Sequence, residues 1–267
     1  MLRRLTHTVG LLMLCLPVRL MAGSEAGGAS HFTPEAIGQF AKSVEHYAAE
    51  AGARAFIIAR QGRPESELPD GIRFTHTAIA IYSTVMTTDG RQLKGYAIHN
   101  LYQKADRRDE SYLLQDYPVD FFWPVQALKA GVLIPEPGLQ QALVDLIARG
   151  DHLALHNPAY SVLASPYNTR YQNCTEYTLD LVNAAIYNTL DLARLKANAR
   201  AHFQATPIRE TPFRLFLGSL FAADIRLDDH QDVVATATFT SIARYLQDNG
   251  LLEQAVILTP EGAEELL

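Results

Sequence analysis

Residues 74–102 read FTHTAIAIYSTVMTTDGRQLKGYAIHNLY, two strand-like runs on either side of an Asp89-Gly90 pair. Alternating β-branched and aromatic residues favour strands, and Asp-Gly favours a tight reversal. Phe74–Ser83 and Lys94–Tyr102 are therefore expected to pair as a hairpin. Side chains alternate along a strand, which puts Phe74, His76, Ala78, Ala80 and Tyr82 on one face. With a two-residue turn, 88 pairs with 91 and His99 falls opposite Ala80. His99 then shares a face with His76, and any even shift of register keeps it there. Two such polar rings can divide the work of proton transfer, one carrying the proton and the other fixing tautomer and orientation.

A second informative stretch is RYQNCTEYTLDLV, residues 170–182. Asn173 has the chemistry of a helix cap, and Glu176 stands three residues later, as a capping box requires. Cys174 is thereby placed in the first helical turn, where unpaired N–H groups and the helix dipole favour a thiolate. The chain has one other cysteine, Cys15, in a segment expected to be removed. In an exported protein a leftover cysteine points to a reactive thiol or an intermolecular bridge, whereas its bland reading is a small buried apolar residue.

Export is expected from the first 22 residues. Met1–Arg4 is short and basic, Val9–Gly23 is apolar, and small residues follow at Ala22, Gly23 and Ser24. This is the pattern of a signal peptide. Arg19 interrupts the apolar run and leaves it too short for a stable membrane span. A lipid anchor at Cys15 needs small residues before the cysteine, where Leu14 stands. The location expected is the periplasm, given a Gram-negative source. The whole chain carries 23 basic and 29 acidic residues, a net charge of −6. Loss of Arg3, Arg4 and Arg19 with the leader takes this to −9, which argues against nucleic acid and anionic membrane surfaces as partners.

The remaining chain reads as a single α+β domain over residues 33–258. Thr33 and Pro34 start a helix with Ile37, Phe40, Ala41, Val44 and Ala48 on one stripe, and Gly52 ends it. Residues 54–60 (RAFIIAR) form a buried strand, and 61–71 a turn-rich loop. Residues 104–110 are a charged loop, and Pro118–Val125 is a packed aromatic segment. Helices are expected over 139–149, from Cys174 to about Asn188, over 192–204 and over 241–247. Val233–Phe239 (VVATATF) has strand character, and Phe213–Phe221 is short and apolar.

THTAIAIY followed by GYAIH resembles the histidine-strand, turn, second-histidine-strand segment of NlpC-type enzymes in the papain-like superfamily. NCTEY follows that hairpin instead of preceding it, as in the circularly permuted branch that includes relatives of lecithin retinol acyltransferase. NPAY…YQNCTEYTLDLV is similar to that branch's tyrosine turn and cysteine helix, with Thr175 where serine is usual. The mature chain also resembles an uncharacterised family of secreted Gram-negative bacterial proteins. The superfamily resemblance implies a permuted papain-like fold, a small antiparallel sheet packed on helices. It implies Cys174 as nucleophile, His76 as base and His99 as third polar residue. Asn100 is the fallback for the third role, although the expected register points its side chain to the other face. Tyr160 would support the oxyanion.

The function these readings imply is thiol-dependent hydrolysis or transfer of an acyl group from an amide or ester, a cell-wall peptide among the candidates. No metal or organic cofactor is implied. The alternative is a non-catalytic periplasmic binding or assembly protein that keeps the fold and buries Cys174. A third reading draws on DHLALH (151–156), whose His152 and His156 have a spacing that can bind metal from a helix, although Asn157-Pro158 closes the segment at once. DDHQD (228–232) reads as a solvated turn.

Overall fold

The computed structural model describes residues 29–86, 89–209 and 224–267. The expected signal peptide (1–22) and the apolar run 213–221 lie outside these. The architecture is α+β. Helix α1 (Pro34–Glu50) leads into β1 (Ala55–Arg60), the hairpin β2 (His76–Met86) and β3 (Gln92–Gln103), then β4 (Ser111–Asp116). A short α2 (Pro118–Phe122) precedes β5 (Ala130–Pro135), α3 (Pro137–Ala148), α4 (Cys174–Tyr187) and α5 (Leu192–His202). The chain closes with two-residue strands β6 (Thr206–Pro207) and β7 (Ala235–Thr236), α6 (Phe239–Asp248), β8 (Leu252–Thr259) and β9 (Gly262–Glu265).

Seven strands form one antiparallel sheet in the order β4-β3-β2-β1-β5-β8-β9. It is larger than the small sheet expected, because Ser111–Asp116, Ala130–Pro135 and the two C-terminal segments join it. Residues beyond 258 thus belong to the folded unit through β9. In the other direction, VVATATF supplies only the two residues of β7, and α6 begins at Phe239. Thr238 caps that helix and exchanges hydrogen bonds with Ser241, a reciprocal arrangement that fixes the start. Among the described residues no helix is long and apolar enough to cross a membrane.

The AFIIAR run of β1 is buried at all six positions because both faces of the sheet are covered. Ala55, Ile57 and Ala59 face a core shared with Leu143 of α3, Leu181 of α4 and Ile242 of α6. Phe56 and Ile58 face a second core with Ile37, Phe40 and Val44 of α1 and Phe121 and Phe122 of α2. α4 is enclosed along most of its length: every residue from Cys174 to Ala184 is buried. Its polar side chains must then find partners inside the protein.

The hairpin register differs from the sequence expectation by one residue. Ile79 pairs with His99 and Met86 with Gln92, so five residues separate the strands instead of two. Gly90 still supplies the left-handed backbone of the reversal, at φ +81°. An odd slip turns every side chain of one strand to the other face. His99 therefore stands with Ile79 on the α3–α4 side, while Ala78 and Ala80 lie in the α1–α2 core. Phe74 also departs from the expected stripe: it precedes the strand and packs edge-on against Phe239, ring centroids 4.9 Å apart.

Gly131 of β5 lets that same ring approach the sheet. A Cβ there would stand 2.6 Å from Phe239 Cζ. Gly131→Ala is expected to destabilise the protein by about 1–3 kcal/mol in urea unfolding, the usual cost of overpacking. Phe239→Leu in the same background should recover part of the loss.

Candidate functional site

Asn173 starts α4 as the sequence suggests: its side-chain oxygen accepts from the N–H groups of Thr175 (3.1 Å) and Glu176 (2.9 Å). Its amide nitrogen donates to Val162 O and Thr236 Oγ1, which holds the cap against the preceding loop. The reciprocal half of the capping box is absent. The Glu176 carboxylate instead meets the ammonium of Lys196 on α5, which also lies 2.7 Å from both Asp180 oxygens. Burial of this cluster pulls Lys196 down to about 7 and pushes Asp180 well above the usual carboxylate range.

Hydroxyl groups dock α4 onto β2. Thr175 Oγ1 donates to Thr77 Oγ1 at 3.2 Å, and Thr178 Oγ1 lies 2.9 Å from Cys174 O and 3.4 Å from Thr77 O. This contact brings the Cys174 sulfur to 3.9 Å from the carbonyl oxygen of Thr75, the residue before His76. Cys174 is 5% exposed. Tyr160 is buried in the same core, and its backbone bridges to Gln172, two residues before the thiol.

His76 begins β2 and turns its ring to the α1–α2 side, stacked on Tyr102 with centroids 4.8 Å apart and tilted from Phe121 at 5.5 Å. Its Nε2 lies 2.9 Å from Asn100 Oδ1. The Asn100 amide nitrogen donates to Ile98 O (3.1 Å) and Asp116 Oδ2 (3.3 Å), both acceptors, so the amide oxygen must face the imidazole. Nε2 is then the protonated nitrogen. Nδ1 is left as a bare, buried lone pair that hydrogen-bonds to no group, Cys174 included, among the described residues. The thiol–imidazole hydrogen bond that a nucleophile–base pair would make is not formed: the His76 ring turns to the α1–α2 core, whereas Cys174 belongs to the α3–α4 core on the other face of the sheet.

Arg60 is the cross-strand partner of His76 and is buried. Its guanidinium lies over the rings of Tyr102 (5.6 Å) and Phe121 (5.1 Å) and donates to Phe121 O. Burial, reinforced by this neighbouring cation, holds His76 well below its ordinary 6.5, so the ring stays neutral. Asp116 closes the network by accepting from Tyr102 Oη at 2.5 Å. Burial raises this carboxyl, and the Tyr102 hydrogen bond and Arg60 oppose the rise.

The third polar residue beside His76 is thus Asn100 and not His99. One odd slip in register brings Asn100 to the imidazole face and removes His99 from it. His99 packs against His152 instead, ring centroids 5.3 Å apart, in a cleft of about 490 Å³ lined also by Ser83, Gln115, Ile147 and Tyr177. Burial, then the neighbouring imidazole, lowers His99 to about 4. The two histidines of DHLALH part company, since His156 turns to Ser111 Oγ at 3.0 Å. No group of three or more metal-ligating side chains forms among the described residues. In DDHQD, Asp229 accepts from Ser165 N–H and His230 Nε2 donates to Leu163 O, so this turn pins the loop before α4. Arg60 and Asp116 had no signal in the sequence that linked them to His76, since each ends its strand far away in the chain. Asn100 is the fallback of the sequence reading, and the odd register of the hairpin is what turns it to the imidazole.

A family described as an uncharacterized protein conserved in bacteria, DUF2145, matches residues 47–246. The chain belongs to this family. The DUF2145 match spans β1 to α6 and so takes in Arg60, His76, Asn100, Asp116 and Cys174. No curated protein and no solved structure matched the chain.

The depressed histidines give the DUF2145 domain a pH dependence of definite sign. Below pH 6.5 the unfolded chain takes up protons at His76 and His99 that the folded protein refuses. Stability should be complete above 6.5 and fall as pH is lowered towards about 4, where His99 finally titrates. Urea midpoints measured between pH 7.5 and 4.5 check this, and His99→Gln should flatten part of the decline.

Proposed function

We propose that the chain is an exported thiol-dependent acyl hydrolase or transferase with a permuted papain-like arrangement. Cys174 is the nucleophile, His76 the base and Asn100 the residue that orients it. The observation that carries this reading is the His76–Asn100 pair. It leaves a bare Nδ1 at the start of β2, where the Cys174 sulfur lies against the carbonyl of the preceding residue. A neutral imidazole with one nitrogen committed to an amide oxygen is ready to accept one proton on the other.

In the reaction the Cys174 S–H proton passes to His76 Nδ1 as sulfur bonds to the carbonyl carbon of an amide or ester. The C–N or C–O bond then breaks, and the imidazolium returns the proton to the leaving amine or alcohol. The thioester left on Cys174 is resolved by water in a hydrolase or by a second nucleophile in a transferase, His76 taking its proton in turn. The backbone N–H of Cys174 is the donor for the developing oxyanion, since the Asn173 cap takes those of Thr175 and Glu176. Because the ring faces the α1–α2 core and the thiol the α3–α4 core, the proton transfer requires the imidazole to swing round the start of β2 to the sulfur as substrate binds. The substrate class that fits an exported enzyme of this arrangement is a cell-wall peptide, by analogy.

A second reading has its own observation. Cys174 and His76 are 5% and 1% exposed, as buried packing residues would be in a non-catalytic binding or assembly protein. A thiol-directed acylating probe, with the adduct mapped by mass spectrometry, separates the two. The catalytic reading expects labelling of Cys174, reduced about 100-fold or more by His76→Ala, less by Asn100→Ala, and little changed by His99→Ala. Labelling that is undetectable in the folded protein, or equal in wild type and His76→Ala, would establish the non-catalytic reading.

A further inference from the structure

The Asn100 amide can face His76 in either of two ways, and the choice decides which imidazole nitrogen carries the proton. With Oδ1 towards the ring, Nε2 is protonated and Nδ1 is bare. With the amide flipped, Nδ2 donates to a bare Nε2 and the proton moves to Nδ1, the edge that must accept the thiol proton. Three observations bear on the choice. Asp116 Oδ2 lies 3.3 Å from Asn100 Nδ2. Tyr102 Oη donates to the same carboxylate oxygen at 2.5 Å. Arg60, on the strand beyond His76, is a buried cation held over the Tyr102 and Phe121 rings.

We propose that Asp116 is a positioning residue that selects the Nε2-protonated tautomer of His76 by holding the Asn100 amide in one orientation. The inference deepens the reading of His76 as base and rests on it. Flipping the amide would set Oδ1 against the Asp116 carboxylate with no proton between two buried acceptors, a repulsive contact in a low-dielectric site. It would also forfeit the bond to Ile98 O. The Ile98 carbonyl alone offers a neutral hydrogen bond, worth less than a charge-assisted one, so the carboxylate supplies most of the preference. The Tyr102 hydroxyl shares Asp116 Oδ2 with the Asn100 amide but does not touch the amide, and its ring stacks on the imidazole.

Long-range ¹⁵N–¹H NMR of the histidine rings tests this on the full mature chain without any acyl substrate, so its outcome is separate from that of the labelling experiment. In the wild type, at pH 7.5, His76 should show one protonated and one bare nitrogen, with the proton on Nε2. Asp116→Leu should bring the two nitrogen shifts towards one another as the Nδ1-protonated form becomes populated, and Cys174 labelling should fall with it. Asp116→Ser, whose short hydroxyl does not reach Asn100, serves if the leucine variant does not fold. Tyr102→Phe keeps the carboxylate and the stacked ring and should keep the single tautomer. Unchanged His76 nitrogens in a folded Asp116 variant overturn the proposal. So does an equal mixture in Tyr102→Phe, which would show that any loosening nearby suffices. Intact tautomer selection in a protein that no acylating probe labels would leave Asp116's role standing and remove the enzyme.

Discussion

The pairing of Ile79 with His99 governs the whole polar network around His76. Strand side chains alternate, so one register fixes at a stroke which residues of β2 and β3 can meet. With Ile79 opposite His99, Asn100 faces the side of the sheet that His76 faces, and their polar atoms come within 2.9 Å. β4 then brings Asp116 to the same face, because Ile98 pairs with it. β1 adds Arg60 opposite His76. Four adjacent strands thus assemble one buried polar network from residues spread over more than fifty positions. None of its members has a local reason to be where it is.

Such a network is expensive to bury and specific once satisfied. An unpaired polar atom in the interior costs about 1–3 kcal/mol, and an uncompensated charge more. Here nearly every atom has a partner, and the exception is Nδ1 of His76, the atom a base needs free. The Glu176–Asp180–Lys196 cluster between α4 and α5 follows the same economy on the other side of the sheet, two carboxylates about one ammonium. It explains why Glu176 sits three residues after the cap yet leaves the capping box half made.

Much of the fold was legible because its signals are local. Thr33-Pro34 and Gly52 bound α1, Asn173 starts α4, and the unbroken AFIIAR run marks β1 as covered on both faces. The α+β class followed from these. What was not legible depends on loop lengths and on partners distant in the chain. Asp89-Gly90 announced a reversal but not whether two or five residues span it, and that parity decided between His99 and Asn100. Ala130–Pro135 is flanked by turn formers that obscured a buried strand, and Leu252–Thr259 alternates too weakly to announce β8. VVATATF has the composition of a strand, but Thr238 and Ser241 claim its end for a helix.

The two borders of the sheet are finished differently. At β4 the first residue gives its N–H to Pro158 O, and a bridge from Glu110 to Ala159 extends the cover. At β9 all four residues are exposed, and the strand ends in Glu264 and Glu265. A second chain adding itself to that border would have to bring its backbone alongside two negative charges, and a stack of copies would repeat the repulsion at each layer. A short acidic last strand therefore guards a wide, strongly apolar sheet against growing into a fibril.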